Sequence, residues 1–361
     1  MTYCDIRKKT KEITVGSMKI GGNAPIAIQS MTNTDSARFE PTYAQIKELE
    51  AAGCDIVRLT VPDMEAVKTV ARLKEADIRI PLVADIHFDY RLAVEAAEAG
   101  IDKIRINPGN IGDEEKVKAV VRACNSHHIP IRIGVNSGSL EKSILARYGS
   151  PTAEALCESA LGHIAILERL DFTDIAVSIK SSDVYTMIKA NQLLSEACSY
   201  PLHLGVTESG HGEAGKLKSA IGIGSLISQG IGDTIRVSLT DNPVEEVAAA
   251  RNILKALSLY EGGYINVISC PTCGRTKIDL IPICRELEKR FSAIQTDKKI
   301  TVAVMGCVVN GPGEAAEADV GIAGGKGEAV LFRKGEKIRK IREEDIADEL
   351  TREVERLLEK E

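Results

Sequence analysis

The sequence predicts an α/β protein: a (β/α)8 TIM barrel followed by a small α/β domain. Three observations predict it. Short apolar or β-branched runs alternate eight times with amphipathic helical stretches. Polar residues recur at even spacing near the C-terminal ends of those runs, so each set faces one way from its strand. After Glu261-Gly262-Gly263 the pattern changes and a Cys-x-x-Cys turn follows a new apolar run. The expected division is therefore 1–262 for the barrel and 263–361 for the small domain.

In chain order, Ile13-Thr14-Val15 and Met18-Lys19-Ile20 read as a hairpin turning at Gly16-Ser17. The eight barrel strands are Ile26–Gln29, Ile56–Thr60, Leu82–His87, Ile104–Asn107, Ile131–Asn136, Ile175–Lys180, Leu202–Glu208 and Thr234–Leu239. The helical stretches between and after them include Thr42–Ala52, Tyr90–Ala99, Glu114–Ser126 and Pro243–Leu259. Gly53, Gly100 and Gly230 stand where helix C-caps belong. A doubly wound open sheet is the alternative; eight units rather than five or six favour a closed barrel. In the small domain, strand Ile265–Ser269 leads into Cys270-Pro271-Thr272-Cys273 and helix Ile278–Phe291. Strand Ile300–Met305 then leads into Cys307, followed by strands near Asp319–Ala323 and Ala329–Phe332 and a closing helix Glu343–Lys360.

Strand parity points to a site. The inward, C-terminal positions carry Arg58, Asp85, His87, Arg105, Asn107, Arg132, Asn136, Ser178, Lys180, Arg236 and Ser238, with Thr207 and Glu208 ending the seventh strand. Barrel layers are ordinarily filled by bulky apolar side chains. Five cations, Arg58, Arg105, Arg132, Lys180 and Arg236, cannot be buried there unpaired, and Asp85 and Glu208 balance two at most. The interior therefore calls for a multiply charged anion, and arginine forks suit phosphate oxygens. Gly222-Ile223-Gly224-Ser225 and Gly230-Ile231-Gly232-Asp233 are candidates for bringing backbone N–H groups to it.

The bulk properties exclude several classes. Net charge of −6 and an aromatic content of 4% argue against a nucleic-acid partner. No apolar run is long enough to span a membrane, and Met1–Lys11 has no signal-peptide core. Nine cysteines without disulfide spacing suggest a reducing, cytoplasmic setting. Cys270, Cys273 and Cys307 offer three loop thiolates, suited to a [4Fe–4S] cluster or a zinc ion. The fourth ligand is then Cys284, Glu314 or an open position. On these residues alone, a non-redox barrel for a pterin or sugar phosphate with a zinc-stabilised tail is the rival reading. No Gly-x-Gly-x-x-Gly fingerprint follows the first strand.

Four stretches together carry a resemblance. They are Gln29-Ser30-Met31-Thr32-Asn33-Thr34, Gly230-Ile231-Gly232-Asp233-Thr234-Ile235-Arg236-Val237-Ser238, Cys270-Pro271-Thr272-Cys273-Gly274-Arg275-Thr276 and Cys307-Val308-Val309-Asn310-Gly311-Pro312-Gly313-Glu314. Over essentially its whole length the chain resembles the 4-hydroxy-3-methylbut-2-en-1-yl diphosphate synthase family, in its compact bacterial form. The resemblance implies reduction of 2-C-methyl-D-erythritol 2,4-cyclodiphosphate by two electrons, with ring opening and loss of water. It implies one [4Fe–4S] cluster per chain on Cys270, Cys273 and Cys307, with Glu314 as an exchangeable fourth ligand. It assigns Arg58, Arg105, Arg132, Lys180, Arg236 and Ser238 to the diphosphate. It assigns Asn107, Asn136, Asp85, His87, Thr207 and Glu208 to a polar pocket, with Glu208 as proton donor. It also implies flavodoxin or ferredoxin as electron donor, and a head-to-tail homodimer in which one chain's cluster caps its partner's barrel.

Overall fold

The structure is a computed structural model, and it describes residues 3–308 and 317–359. The chain folds as two compact units, one running to Leu259 and the other beginning at Tyr260.

In the first unit a short helix, α1 (Tyr3–Ile6), precedes a hairpin of β1 (Ile13–Val15) and β2 (Met18–Ile20). The barrel strands follow: β3 (Ala27–Met31), β4 (Ile56–Thr60), β5 (Leu82–Asp85), β6 (Lys103–Ile106), β7 (Ile131–Asn136), β8 (Ile175–Lys180), β9 (His203–Leu204) and β10 (Thr234–Ile235). The eight form one parallel sheet in the order β8-β7-β6-β5-β4-β3-β10-β9. A parallel bridge between Val177 and Leu202 joins β8 to the approach to β9 and closes the ring. The helices between and around them are α2 (Phe39–Ala51), α3 (Met64–Glu75), α4 (Tyr90–Glu98), α5 (Pro108–Ile111), α6 (Glu114–His127), α7 (Lys142–Tyr148), α8 (Ala153–Glu168), α9 (Val184–Ala197), α10 (Gly212–Ile227) and α11 (Pro243–Ala256). Their starts are locally encoded. Asp63, Asp113, Thr152 and Asp183 each accept a backbone N–H of the first turn of α3, α6, α8 and α9. Gly53, Gly100 and Gly230 take φ of +80°, +81° and +78°, which glycine adopts without a Cβ penalty.

Parity decides what faces inward. At the strand starts the inward set is small or apolar: Ala27, Ile56, Val83 and Ala176 pack with Ile13, Val15 and Ile20 of the hairpin. Each fully buried aliphatic side chain contributes roughly 1.5–3 kcal/mol, so the hairpin is a firm stopper for that end. The polar set sits beyond it, toward the C-terminal ends.

Several boundaries differ from the sequence reading. The seventh and eighth strands are two residues each, because beyond Leu204 and Ile235 the chain leaves the ladder. Gly205 marks the departure: a Cβ there would lie 2.8 Å from Lys180 Nζ and crowd the carbonyl of Arg236. The loop after β6 contains a short helix, α5, and the loop after β7 holds a 3-10 turn (Ser137–Ser139) and α7, none of which the hydrophobic pattern signals.

The second unit is a five-stranded sheet in the order β11 (Tyr264–Ser269), β12 (Lys299–Met305), β13 (Val320–Gly324), β14 (Glu328–Arg333) and β15 (Glu336–Arg342). The first three are parallel and the last two antiparallel. Helices α12 (Leu280–Ser292) and α13 (Ile346–Glu359) cover one face through Leu287, Phe291, Leu350 and Val354 on Val302, Val320 and Leu331. Strand β15 escapes a sequence reading because Glu-Lys-Ile-Arg-Lys-Ile-Arg is charged and almost wholly exposed. That composition suits an edge strand, where lysine and arginine discourage further pairing.

Candidate active site

A cavity of about 320 Å³ opens at the C-terminal end of the barrel. Arg58, Asp85, His87, Arg105, Asn136, Lys180, Thr207, Glu208, Arg236 and Ser238 line it, with Ser137, Gly138, Ser139 and Ser178. Eight of those first ten belong to the set singled out by parity, and Thr207 and Glu208 are the pair placed at the end of the seventh strand. Two other members do not line it. Arg132 lies deeper, 1% exposed, where Nη1 donates to Gln29 Oε1 at 3.3 Å. Asn107 instead caps α5, its Oδ1 accepting the Gly109 N–H at 3.0 Å.

The charges are arranged around two carboxylates. Asp85 Oδ1 is 3.0 Å from Arg105 Nη1 and 3.4 Å from His87 Nε2, and its Oδ2 is 3.5 Å from Arg58 Nε. Burial alone would raise the Asp85 carboxyl, but Arg58, Arg105 and Arg132 outweigh it and hold it below its ordinary value. Arg236 forms a two-pronged pair with Glu246 of α11, at 3.2 and 3.0 Å. Glu246 also accepts the Ser30 hydroxyl at 2.9 Å and the Leu239 N–H at 3.0 Å. This corrects the expected balance: the second buried counter-charge is Glu246, whereas Glu208 is exposed at the cavity wall with φ +52°.

The cations remain in excess. Burial pulls the Arg58 guanidinium down to about 10 despite Asp85. Burial, reinforced by neighbouring arginines, puts Lys180 and Arg132 well below their ordinary values. Among the described residues Lys180 has no ion-pair partner, and Nε of Arg105 and of Arg132 has no hydrogen-bond partner. Glycine makes room for this crowding, since a Cβ at Gly134 would collide with the Arg105 guanidinium. With its oxygen turned toward Arg105, the Asn136 amide accepts from Nη2 at 3.1 Å.

Sequence reasoning missed three interior residues. Lys103 and His203 are fully buried, and Lys103 Nζ and His203 Nε2 have no partner among the described residues. His203 Nδ1 meets Thr234 Oγ1 at 2.8 Å. Both share the parity of site positions, Lys103 with Arg105 and His203 with Thr207, so the signal was present. Glu246 had none beyond the unmet need of Arg236. The glycine clusters are a correction as well. Gly222 is inside α10, where a Cβ would strike Met187 and Val206; Gly230 abuts the Ile6 carbonyl; neither lines the cavity.

In the second unit, Cys270 follows β11 and Cys307 follows β12, at the C-terminal ends of adjacent parallel strands. Two hydrogen bonds tie the loops: Lys277 N–H to Gly306 O at 2.8 Å, and Gly306 N–H to Cys270 Sγ at 3.2 Å. Gly306 is needed here, for a Cβ would lie 2.8 Å from Thr276 Cγ2. Hydrogen bonds with Arg275 lower the Cys273 thiol, favouring the thiolate that a metal requires. Cys284 packs on the apolar core instead. Glu314 lies outside the described residues. Among those described, no three His, Cys, Asp or Glu side chains stand together closely enough to hold a metal ion. All nine cysteines are free, and no described helix is long and apolar enough to cross a membrane.

Known proteins match along both units. The family described as GcpE TIM-barrel domain matches residues 10–251, and the GcpE protein C-terminal domain matches residues 266–356. The 4-hydroxy-3-methylbut-2-en-1-yl diphosphate synthase (flavodoxin) of Clostridium perfringens is 60% identical over 349 residues, covering 97% of this chain and 99% of that protein. The protein of the same name from Caldanaerobacter subterraneus subsp. tengcongensis is 57% identical and covers 99% of both chains. A solved Plasmodium falciparum HPPK-DHPS with pterin and p-hydroxybenzoate is 12% identical, covers 69% of this chain and 48% of that one, and superposes with a TM-score of 0.50. That likeness is one of fold alone.

Proposed function

The chain belongs to the GcpE family, and from that membership and the charge of the barrel interior we propose that it converts 2-C-methyl-D-erythritol 2,4-cyclodiphosphate to 4-hydroxy-3-methylbut-2-enyl diphosphate, an isoprenoid precursor. Two electrons and two protons enter, one ring carbon–oxygen bond breaks, and one hydroxyl leaves as water. The observation that carries the reading is the excess of Arg58, Arg105, Arg132, Lys180 and Arg236 over Asp85 and Glu246 at and behind the cavity wall. A diphosphate answers that excess, and its remote binding energy orients the carbon to be reduced.

The chain's residues divide the work. Arg58, Arg105, Lys180, Arg236 and Ser238 hold the diphosphate, with Arg132 supplying positive potential from beneath. Asn136, Thr207 and His87 orient the hydroxyl groups, and Asp85 keeps Arg58, Arg105 and His87 aimed. Glu208, exposed at the wall, donates a proton to the departing hydroxyl. Asn107, as the cap of α5, shapes the mouth from outside the cavity.

Cys270, Cys273 and Cys307 are the residues that would hold a [4Fe–4S] cluster, one per chain, with Glu314 as the fourth and exchangeable ligand. Their tied loops and the lowered Cys273 thiol support that fit. When bound, the cluster supplies electrons one at a time. Flavodoxin, which the relatives' names carry, or ferredoxin is the donor in this reading, in the cytoplasm. The last barrel helix runs away from the strands' C-terminal ends, so the active unit is taken as a head-to-tail homodimer.

Anaerobic isolation tests the cluster. The wild-type protein is expected to be brown, and Cys307→Ser to lose colour and turnover together. A colourless wild-type protein containing zinc overturns the cluster reading.

A further inference from the structure

The loop after β7 supplies Ser137, Gly138 and Ser139 to the cavity wall, and it is held from behind. Glu141, two residues past that turn, stands at the N-cap position of α7, and its side chain makes no capping bond there. Its Oε2 accepts the Ser159 hydroxyl at 2.7 Å, and its Oε1 lies 2.6 Å from His163 Nε2, a charge contact whose angle falls short of a hydrogen bond. Ser159 and His163 are four residues apart on α8, so they present one face toward the carboxylate. Both are buried, at 2% and 3% exposure, although neither lines the cavity. A second mouth loop reaches the same imidazole. Gly109, in α5 after β6, comes so close that a Cβ would be 2.9 Å from His163 Cε1. Asn107 caps that same helix.

We propose that Glu141, Ser159 and His163 form a latch of positioning residues that fixes the Ser137–Ser139 wall, and with it ligand affinity, by tying two mouth loops to α8. A free turn of serines and glycine samples many conformations, and ordering it on binding weakens the complex. Held in place beforehand, its hydroxyls and N–H groups meet phosphate oxygens at no such cost. The proposal rests on the diphosphate reading of the cavity. It does not require a cluster, because the latch lies wholly within the barrel unit.

The test combines amide hydrogen exchange with calorimetric binding of inorganic pyrophosphate and of the cyclodiphosphate. It compares the full-length wild type with Glu141→Gln, Ser159→Ala, His163→Leu and His163→Gln. Glu141→Gln and His163→Leu are expected to speed exchange at residues 137–139, leave exchange in β4 and β5 unchanged, and weaken pyrophosphate binding about tenfold. His163→Gln, which keeps a polar N–H group facing Glu141, is expected to recover most of that loss. Ser159→Ala guards against misfolding of the His163 variants and is expected to show a smaller loss in the same direction. Unchanged exchange at 137–139 in Glu141→Gln overturns the latch, and so does faster exchange with undiminished pyrophosphate affinity. A wild type that binds pyrophosphate but not the cyclodiphosphate defeats the substrate reading and leaves the latch tested by pyrophosphate.

Discussion

The barrel interior and the cysteine loops are both set at the C-terminal ends of parallel strands, yet they are organised differently. In the barrel, cationic side chains are buried on the sheet itself and pinned by Asp85 and Glu246. In the second unit, Cys273 is exposed, Cys270 is half-buried, and the loops are tied by one main-chain hydrogen bond and one from the Gly306 N–H to the Cys270 sulfur. The first site is built from side chains on the sheet; the second is built from residues on two loops. A scaffold of strands can store unfavourable charge because packing holds it, whereas loops of this kind draw their final geometry from what they bind.

The sharpest way to break the comparison is to remove the barrel's counter-charge. Asp85→Asn leaves Arg58 and Arg105 buried beside a neutral amide and is expected to lower stability by about 3–5 kcal/mol, read by urea unfolding. Cys270→Ser, in the loops, is expected to leave the barrel's stability within about 0.5 kcal/mol. Equal losses in the two variants would mean that the regions do not differ in this way. Arg236→Ala comes next, weakening cyclodiphosphate binding by about 2 kcal/mol or more by calorimetry and leaving Glu246 unpaired. No change would make Arg236 a structural partner of α11.

Smaller effects sharpen the picture. Lys103 is fully buried with Nζ unpaired among the described residues, and burial drives it well below its ordinary value. Lys103→Met is therefore expected to stabilise the protein by about 1 kcal/mol, seen as a higher Tm; a lower Tm would show that the amine has a partner. The least effect concerns Glu141. Burial alone would raise its carboxyl, but His163 and Ser159 hold it down to about 2. The unfolded chain then binds the proton first, so this contribution is full above the ordinary carboxylate range and fades as pH falls toward about 2. Glu141→Gln should flatten that part of the stability–pH curve.

Much of the barrel was legible because closure imposes a period of two on every strand. Arg58, Asp85, Arg105, Lys180 and Arg236 could be placed on one face from the sequence alone. Lys103 and His203 obey the same rule but lie toward the strands' N-terminal halves, where apolar filling is expected. Glu246 could not be read, because its role is fixed by the tertiary pairing of the first turn of α11 with Arg236. His163 stands on a helix away from the strand ends, and its contact is with Glu141, which the chain brings back from another loop. Strand β15 and α7 leave no clear pattern in the sequence, since β15 buries one residue and α7 none.

One reaction joins the two regions, and anaerobic turnover tests that directly. With a low-potential reductant, the wild-type protein should convert the cyclodiphosphate to 4-hydroxy-3-methylbut-2-enyl diphosphate, consuming two electrons for each molecule formed. Cys307→Ser should bind the cyclodiphosphate with near wild-type affinity and form no product. A brown wild-type protein that binds the cyclodiphosphate tightly but yields no such product under those conditions would contradict the account.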